Sequence, residues 1–303
     1  MKQTILIAVL AVACISCSNN SAGKGNAVSL EEQKIDLPGV ENARQLGGYV
    51  INGKKIKKDI LLRAGALSKA SDQAIDSLEN KYHLAMVFDL RSSIERGHMP
   101  DRAVPGSKEV WLPCLEKMLK ELSESGKKND FNKIGDPAKL AEIITDMAHD
   151  STMLARSKST FPIIASDSTI RRNFATLLDS LAVLPEGKAA LWHCSYGKDR
   201  CGFASGMILA ALGADRELIS ADFALSNDSY GENIGAVVAK AKEMGCNDEE
   251  IRMIYRVLGV SVDDFNAVLD SIENEFGSLD NYLEQALECP ESQRQTLRAK
   301  FLQ

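Results

Sequence analysis

Ala190-Leu191-Trp192-His193-Cys194-Ser195-Tyr196-Gly197-Lys198-Asp199-Arg200-Cys201-Gly202 is the stretch whose reading decides the fold. A short apolar run ends in a cysteine, an arginine follows six positions later, and Phe203 to Leu212 is a second apolar run of helical composition. The order reads as strand, tight loop, helix. A loop at a helix N-terminus has backbone N–H groups free to point inward and the positive end of the helix dipole beside it. That geometry binds a tetrahedral oxyanion. The dipole, the N–H groups and Arg200 all favour the charged form of Cys194, so the cysteine reads as a thiolate. A thiolate beneath a bound phosphate is arranged for phosphoryl transfer through a cysteinyl-phosphate. A lone Cys with an Arg six positions on also arises by chance. The strand-like run before it, Gly197 within it and the apolar helix after it favour the anion-binding loop.

The 303 residues suffice for one large domain or two small ones, and 45% hydrophobic with 26% charged residues gives an ordinary core. The net charge of −6 offers no basic face for nucleic acid. Attraction for phosphorylated substrates must be local to the loop. The chain starts with Met1-Lys2, an apolar core from Ile5 to Val12 too short to span a bilayer, and Ala13-Cys14-Ile15-Ser16-Cys17 before a polar Ser18-Asn19-Asn20. This pattern is similar to a bacterial lipoprotein signal over residues 1–17, with Cys17 as the lipidated residue and Cys14 as the alternative. A secretory signal with incidental cysteines is the plainer reading. Either way the chain is expected to be exported to the cell envelope, and the first reading anchors it to a membrane. Of the 7 cysteines, Cys114, Cys194, Cys201, Cys246 and Cys289 lie beyond the leader, scattered and odd in number, so at least one is a free thiol. No Cys/His set has zinc spacing among the four histidines, and neither metal nor cofactor is expected.

Residues 18–34, rich in Ser, Asn and Gly at their start, read as a flexible tether, and 35–303 as one catalytic domain. Asn52-Gly53 between Val50-Ile51 and Lys54-Lys55-Ile56 signals a hairpin with a type I′ turn. Ile60 to Arg63 reads as a strand, Ser71 as the N-cap of a helix through Leu78, and Leu84 to Phe88 as a strand buried on both faces. Asp89 to Arg96 then places charges at a strand's carboxyl end, where open α/β sheets collect ligand groups. Glu109 to Leu112 is a weaker strand. Residues 117–168 read as a helical insertion, with Asp136 capping a helix from Pro137 to Met153; it is either a lid over the site or a solvated excursion. A helix through Ile170–Leu184, the strand Ala189–Trp192, the loop and a helix from Gly202 to Leu212 follow. Beyond Gly213 everything reads as helix: Asp215–Ser226, Asn233–Met244, Asn247–Leu258 with a capping box, Ser261–Phe276, Ser278–Leu287, and one from Pro290. The fold class is α/β with a helical C-terminal flank.

His193-Cys194-x-x-Gly197-Lys198-Asp199-Arg200-x-Gly202 resembles the HCxxGKDRTG loop of a bacterial tyrosine phosphatase family. Asn42-Ala43-Arg44-Gln45-Leu46-Gly47-Gly48-Tyr49 resembles its NxRDLGGY segment, Leu62-Arg63-Ala64-Gly65-Ala66-Leu67-Ser68 its LxRSGxLS, and Phe88-Asp89-Leu90-Arg91-Ser92 with Glu95 its DLRSxxE. Leu225-Ser226-Asn227 and Phe276 to Leu283 are similar to its late helical motifs. The resemblance implies a mostly parallel sheet of four or five strands flanked by helices. It also implies activity on phosphotyrosine, extending in some members to phosphoserine/threonine or phosphoinositides.

On that resemblance Cys194 attacks phosphorus and Arg200 holds two phosphate oxygens with its bidentate fork. The N–H groups of Ser195, Tyr196, Gly197, Lys198, Asp199 and Arg200 complete the cradle. His193 supports the thiolate or is simply a packed strand residue. Lys198 is a second cation, either selective for polyanionic head groups or solvated. The acid that protonates the leaving group is Asp199, with Asp89, paired with Arg91, as the alternative and Asp101 and Asp167 further off. Asp89 can equally be a salt bridge that orients Arg200 or another loop cation. Two positions depart from the pattern. Gln45 replaces an Asp, and Cys201 stands where the family has Thr or Ser. A thiol is a weaker donor to the departing thiolate, so slower hydrolysis of the intermediate is expected, and Cys201 also offers a partner for a reversible disulfide with Cys194. These departures keep open a phosphoryl-binding module with little turnover, beside an inositol-phosphate phosphatase. Sulfur transfer and arsenate reduction share the loop chemistry but not the distant motifs.

Overall fold

In the computed structural model, residues 29–124 and 137–303 are described. The strands are β1 (Arg44–Gln45), β2 (Val50–Ile51), β3 (Lys54–Lys55), β4 (Leu61–Ala64), β5 (Leu84–Asp89), β6 (Lys108–Trp111) and β7 (Ala189–His193). β2 and β3 form the hairpin that Asn-Gly signals, with φ of +50° at Asn52 and +79° at Gly53. The other five make one sheet in the order β1-β4-β7-β5-β6, parallel except for β1 against β4. β1 is missed by sequence reading because two residues show no alternation.

The helices are α1 (Leu30–Gln33), α2 (Asp72–Asp76, running on to Lys81), α3 (Ser93–His98), α4 (Glu116–Glu124), α5 (Pro137–His149), α6 (Ser151–Ser166) and α7 (Ser168–Ala182). After β7 come α8 (Asp199–Leu212), α9 (Arg216–Ser229), α10 (Gly231–Glu243), α11 (Asp248–Leu258), α12 (Val262–Phe276), α13 (Leu279–Gln285) and α14 (Glu291–Phe301). β7 is buried throughout and divides its side chains by the period of two: Ala190 and Trp192 join one core, Ala189 and Leu191 the other. The first core holds α8 and the stacked Phe223–Phe265 pair, with ring centroids 4.0 Å apart. The second holds Leu78 and Tyr82 from the α2 region.

Helices α5, α10 and α11 share a third core, with Leu140, Ile144, Val237, Met253 and Ile254 at its centre. The helical insertion is therefore not a free excursion. Its α5 packs on the C-terminal flank, about ninety residues on in sequence.

Several readings need correction. The expected single helix from Pro137 to Met153 breaks at Asp150, whose carboxylate caps α6 by accepting from Thr152 N and Met153 N. Residues 29–34 are not tether: Ser29 caps α1, Gln33 is buried, and Lys34 bridges to Arg44. The leader, Cys17, most of the tether and Asp136 lie outside the described residues. α8 begins at Asp199, three residues before Gly202, because the loop closes directly into the helix.

Ala64, His193 and Asp89 are aligned in adjacent strands, so three carboxyl ends meet at one level. The loop rises from the central one, where an open parallel sheet leaves a crevice.

Candidate active site

From Ser195 to Lys198 every carbonyl of the loop accepts a bond from outside it. Ser195 O takes the Ala66 N–H at 3.2 Å. Tyr196 O takes the Tyr230 hydroxyl at 2.8 Å. Gly197 O takes Asn42 Nδ2 at 2.9 Å and Arg63 Nη2 at 2.8 Å. Lys198 O takes Arg63 Nη2 at 3.2 Å and the Gly202 N–H at 2.7 Å. A trans peptide holds its N–H opposite its C=O, so carbonyls held outward aim N–H groups into the bowl. Gly197 makes this possible. Its φ is +65°, and a Cβ there would lie 2.5 Å from Ala64 C.

Cys194 is buried at the bowl's base. The Cys201 side chain bonds it and holds its pKa well below that of a free thiol; burial opposes, and the charge of Arg200 and the Cys201 N–H assist. Burial first, and then Cys194, push the Cys201 thiol far up, so it stays a protonated donor. Its Sγ also lies 3.6 Å from Ala64 O.

Arg200 is set by Glu95. Its Nη1 and Nη2 each meet a Glu95 oxygen at 2.6 Å, and Nη1 also reaches Leu90 O at 3.4 Å. That uses the end of the fork and leaves the Nε/Nη2 edge for two phosphate oxygens. Glu95 is fixed in turn by the Ser195 hydroxyl at 2.5 Å and by Ser92, with which it forms the capping box of α3. Burial would raise the Glu95 pKa, but the charge and bonds of Arg200 and the bonds from Ser195 and Ser92 bring it down to about 2. Sequence reading quoted Glu95 and gave it no role. The signal was there, Ser92-x-x-Glu95 ahead of a helix.

The remaining predicted residues are placed as follows. Asp199, at the first turn of α8, keeps 27% of its side chain exposed. Burial and the Cys194 charge raise its pKa, against the lowering by Lys198 and Arg200. Asp89 does not touch Arg200. It is held by Arg91 at 2.8 Å and Arg96 at 3.0 Å, and although burial opposes, the Arg91 bonds and neighbouring His193 leave its pKa lowered. That environment favours the ionised carboxylate of Asp89 rather than a proton donor. Asp101 bonds Arg91 and the Leu67 N–H, and Asp167 is the N-cap of α7. His193 makes no bond to the thiolate. Neither ring nitrogen has a hydrogen-bond partner, and Nε2 lies 3.3 Å from Asp101 Oδ2. Ligand atoms of Asp89, Asp101 and His193 lie within 4.8 Å of one another, but Arg91 and Arg96 already neutralise the two carboxylates. Gln45 accepts from the Asp59 N–H, a structural bond.

Lys198 is the largest correction. Its ammonium leaves the bowl and donates to Arg256 O at 3.4 Å, Val257 O at 2.6 Å and Gly259 O at 2.8 Å, closing the C-terminus of α11. All three of its donors are taken. Nothing local in the sequence announces that partner, nor Tyr230, which comes from the α9–α10 junction to the loop's rim.

Glu95→Gln should keep the helix cap and lose the ion pair. We expect kcat/KM for p-nitrophenyl phosphate to fall about 10²-fold as Arg200 loses its setting. The Glu95 pKa drops from 4.5 unfolded to about 2 folded, so its stabilisation is whole above pH 4.5 and is lost as pH falls through 2. Urea midpoints of the wild type should therefore decline from pH 5 to pH 3 more steeply than those of Glu95→Gln. Parallel declines would show that the pair carries no such linkage.

The profile of the tyrosine phosphatase family matches residues 35–303. A protein of Cupriavidus necator, named as a provisional tyrosine-protein phosphatase, is 28% identical over 272 residues, which cover 87% of this chain and 86% of that protein. A triple-specificity protein phosphatase of Mycobacterium tuberculosis is 26% identical over 268 residues, covering 83% and 93%. The family match takes in every strand of the sheet, the loop and the helices behind it, and on that extent the chain belongs to the tyrosine phosphatase family.

Proposed function

We propose that this chain hydrolyses phosphotyrosine esters of proteins through a cysteinyl-phosphate. Cys194 Sγ attacks phosphorus while the loop N–H groups and the free edge of Arg200 hold the three equatorial oxygens, where charge develops. The ester P–O bond breaks, and Asp199, whose pKa burial raises, delivers a proton to the leaving phenolate. Asp199 then takes a proton from water as the water oxygen attacks phosphorus, and the S–P bond breaks as the new P–O bond forms. Cys194 departs as a thiolate accepting from Cys201, and inorganic phosphate is released.

The observation that carries the choice of substrate is the direction of Lys198. Spent on α11, it offers no charge to a second phosphate. The rim instead carries Glu41, whose carboxylate lies 3.3 Å from the Tyr230 hydroxyl, with Asp199, and the exposed ring of Tyr196. An aromatic ester bearing one phosphate suits that rim better than a polyanionic head group.

Phosphotyrosine peptide should be turned over at least tenfold faster (kcat/KM) than phosphoserine peptide or inositol polyphosphate, and Cys194→Ser should abolish all three. Asp199→Asn should cost about 10²-fold in kcat on phosphotyrosine, much less on the better leaving group p-nitrophenol, and should remove the alkaline fall of the rate. Equal losses on both esters would remove Asp199 from the acid role. Faster release from inositol polyphosphate would overturn the substrate choice. Cys201→Thr places a stronger donor on the leaving thiolate, about 1 kcal/mol, so kcat should rise about fivefold while the single-turnover phosphorylation rate holds. A lowered kcat would show that the thiol is the better fit.

The leader extends the proposal to location: export, then lipid attachment at Cys17 and residence in the cell envelope. In the native host, fatty-acid label and membrane fractionation should both be lost in Cys17→Ser and kept in Cys14→Ser. Label persisting in Cys17→Ser would refute the attachment.

A further inference from the structure

Two arginines lie under the loop with one carboxylate between them. Arg44 of β1 and Arg63 of β4 are 0% exposed, and Asp222 of α9 is 1% exposed. Asp222 meets Arg63 Nη1 at 2.8 Å and Arg44 Nε at 3.7 Å, and accepts from the Tyr49 hydroxyl at 2.9 Å. The group thus carries one surplus positive charge in the interior. Neither Nε has a hydrogen-bond partner. Burial and the charge of Arg63 press the Arg44 pKa down to about 10, which still leaves it cationic at neutral pH.

An uncompensated buried charge is costly unless an anion answers it. The geometry says where that anion belongs. Arg63 Nη2 reaches the loop itself, bonding both Gly197 O and Lys198 O, and Arg44 Nη2 bonds Ser226 Oγ, which also accepts from Asn42, the other donor to Gly197 O. We infer that Arg63, backed by Arg44 and moderated by Asp222, is a positioning residue for the catalytic loop: it pins two carbonyls outward, and its surplus charge stabilises the anion that the bowl holds, first the thiolate and then the phosphoryl group. The inference rests on Cys194 being the nucleophile.

Other groups also face Cys194. Arg200, Asp199, Lys198 and Cys201 come from the loop and α8, Glu95 from α3, Cys114 from the segment after β6, and Tyr230 from the start of α10. His193 is its neighbour in the chain. Arg63 also bonds the Lys198 backbone and its charge acts on the Cys201 thiol, so the readout is the opposite sign of the Arg63→Met and Asp222→Asn shifts rather than either shift alone.

The test is the pH dependence of iodoacetamide inactivation of the full-length protein, read as lost p-nitrophenyl phosphate turnover, with vanadate inhibition measured beside it. Arg63→Met should raise the thiolate midpoint by about one pH unit and weaken vanadate about tenfold. Asp222→Asn, nearly isosteric, should move the midpoint the other way, because it increases the surplus charge. Arg63→Lys keeps the charge and loses the fork, so the midpoint should stay while vanadate weakens. Should Arg63→Met not fold, Arg44→Gln supplies the same upward shift. Shifts of the same sign in Arg63→Met and Asp222→Asn, or no shift in either, would overturn the inference, since damage to packing has no reason to change sign with charge. Turnover surviving in Cys194→Ser would instead bring down the nucleophile assignment beneath it.

Discussion

Everything at this site depends on where four carbonyl groups point. A run of N–H groups converging on one bowl is unstable alone, because each buried peptide oxygen turned away from it needs a donor, and a missing one costs about 1–3 kcal/mol. Here the donors come from the segment before β1, from β4 and the turn after it, and from the α9–α10 junction: Asn42, Arg63, Ala66 N and Tyr230. The loop therefore has no conformation of its own to offer. It is shaped by segments that precede it by more than a hundred residues and by one that follows it. Gly197 lets the chain pass over Ala64, and Gly202 lets α8 approach Phe223 so closely that a Cβ would lie 2.5 Å from its ring. That approach brings Asp222, next to Phe223 on α9, up to Arg63.

Charge is layered around this scaffold. The thiolate is answered by Arg200, Arg200 by Glu95, and Glu95 by the Ser195 hydroxyl and the start of α3. Glu95 acts on Cys194 in the unhelpful direction, raising its pKa, yet the thiolate remains strongly favoured. The contribution of Glu95 is thus direction rather than charge: it takes one edge of the guanidinium so that the other faces the bowl. Asp89 performs the same service for Arg91 one strand away.

The parts of the molecule that could be read from sequence are those whose cause is local. The apolar run of β7, the cysteine, the glycine and the helix after it follow one another, so the unit reads directly. The cap Ser71 and the Asn247–Glu250 box also read correctly, because a cap is defined within three residues. The failures share a distance. No periodicity in α5 says that its apolar face meets α10 and α11. Lys198 looks like a phosphate ligand until α11 is seen to end beside it. Asp89 against Asp199 could not be settled from residue type, since both are aspartates near the loop. The difference lies in their surroundings: the arginines around Asp89 lower its pKa, and burial beside Cys194 raises that of Asp199.

Lys198 also explains why the three-helix unit and the loop belong to one structure. Its three bonds go to backbone carbonyls, so they do not depend on the side chains of α11. They lie at the helix end where the dipole is negative, which favours a cation there by about 0.3–1 kcal/mol or more when buried. Burial already lowers the Lys198 pKa. Lifting α11 away would break these charged hydrogen bonds, each of a kind worth about 1.5–3 kcal/mol. The loop carbonyl of the same residue is held by Arg63. A displacement of the helical unit therefore pulls on the residue between Gly197 and Asp199. The three-helix unit is thus tied to the bowl through Lys198 at the end of α11 and through Tyr230 at the start of α10.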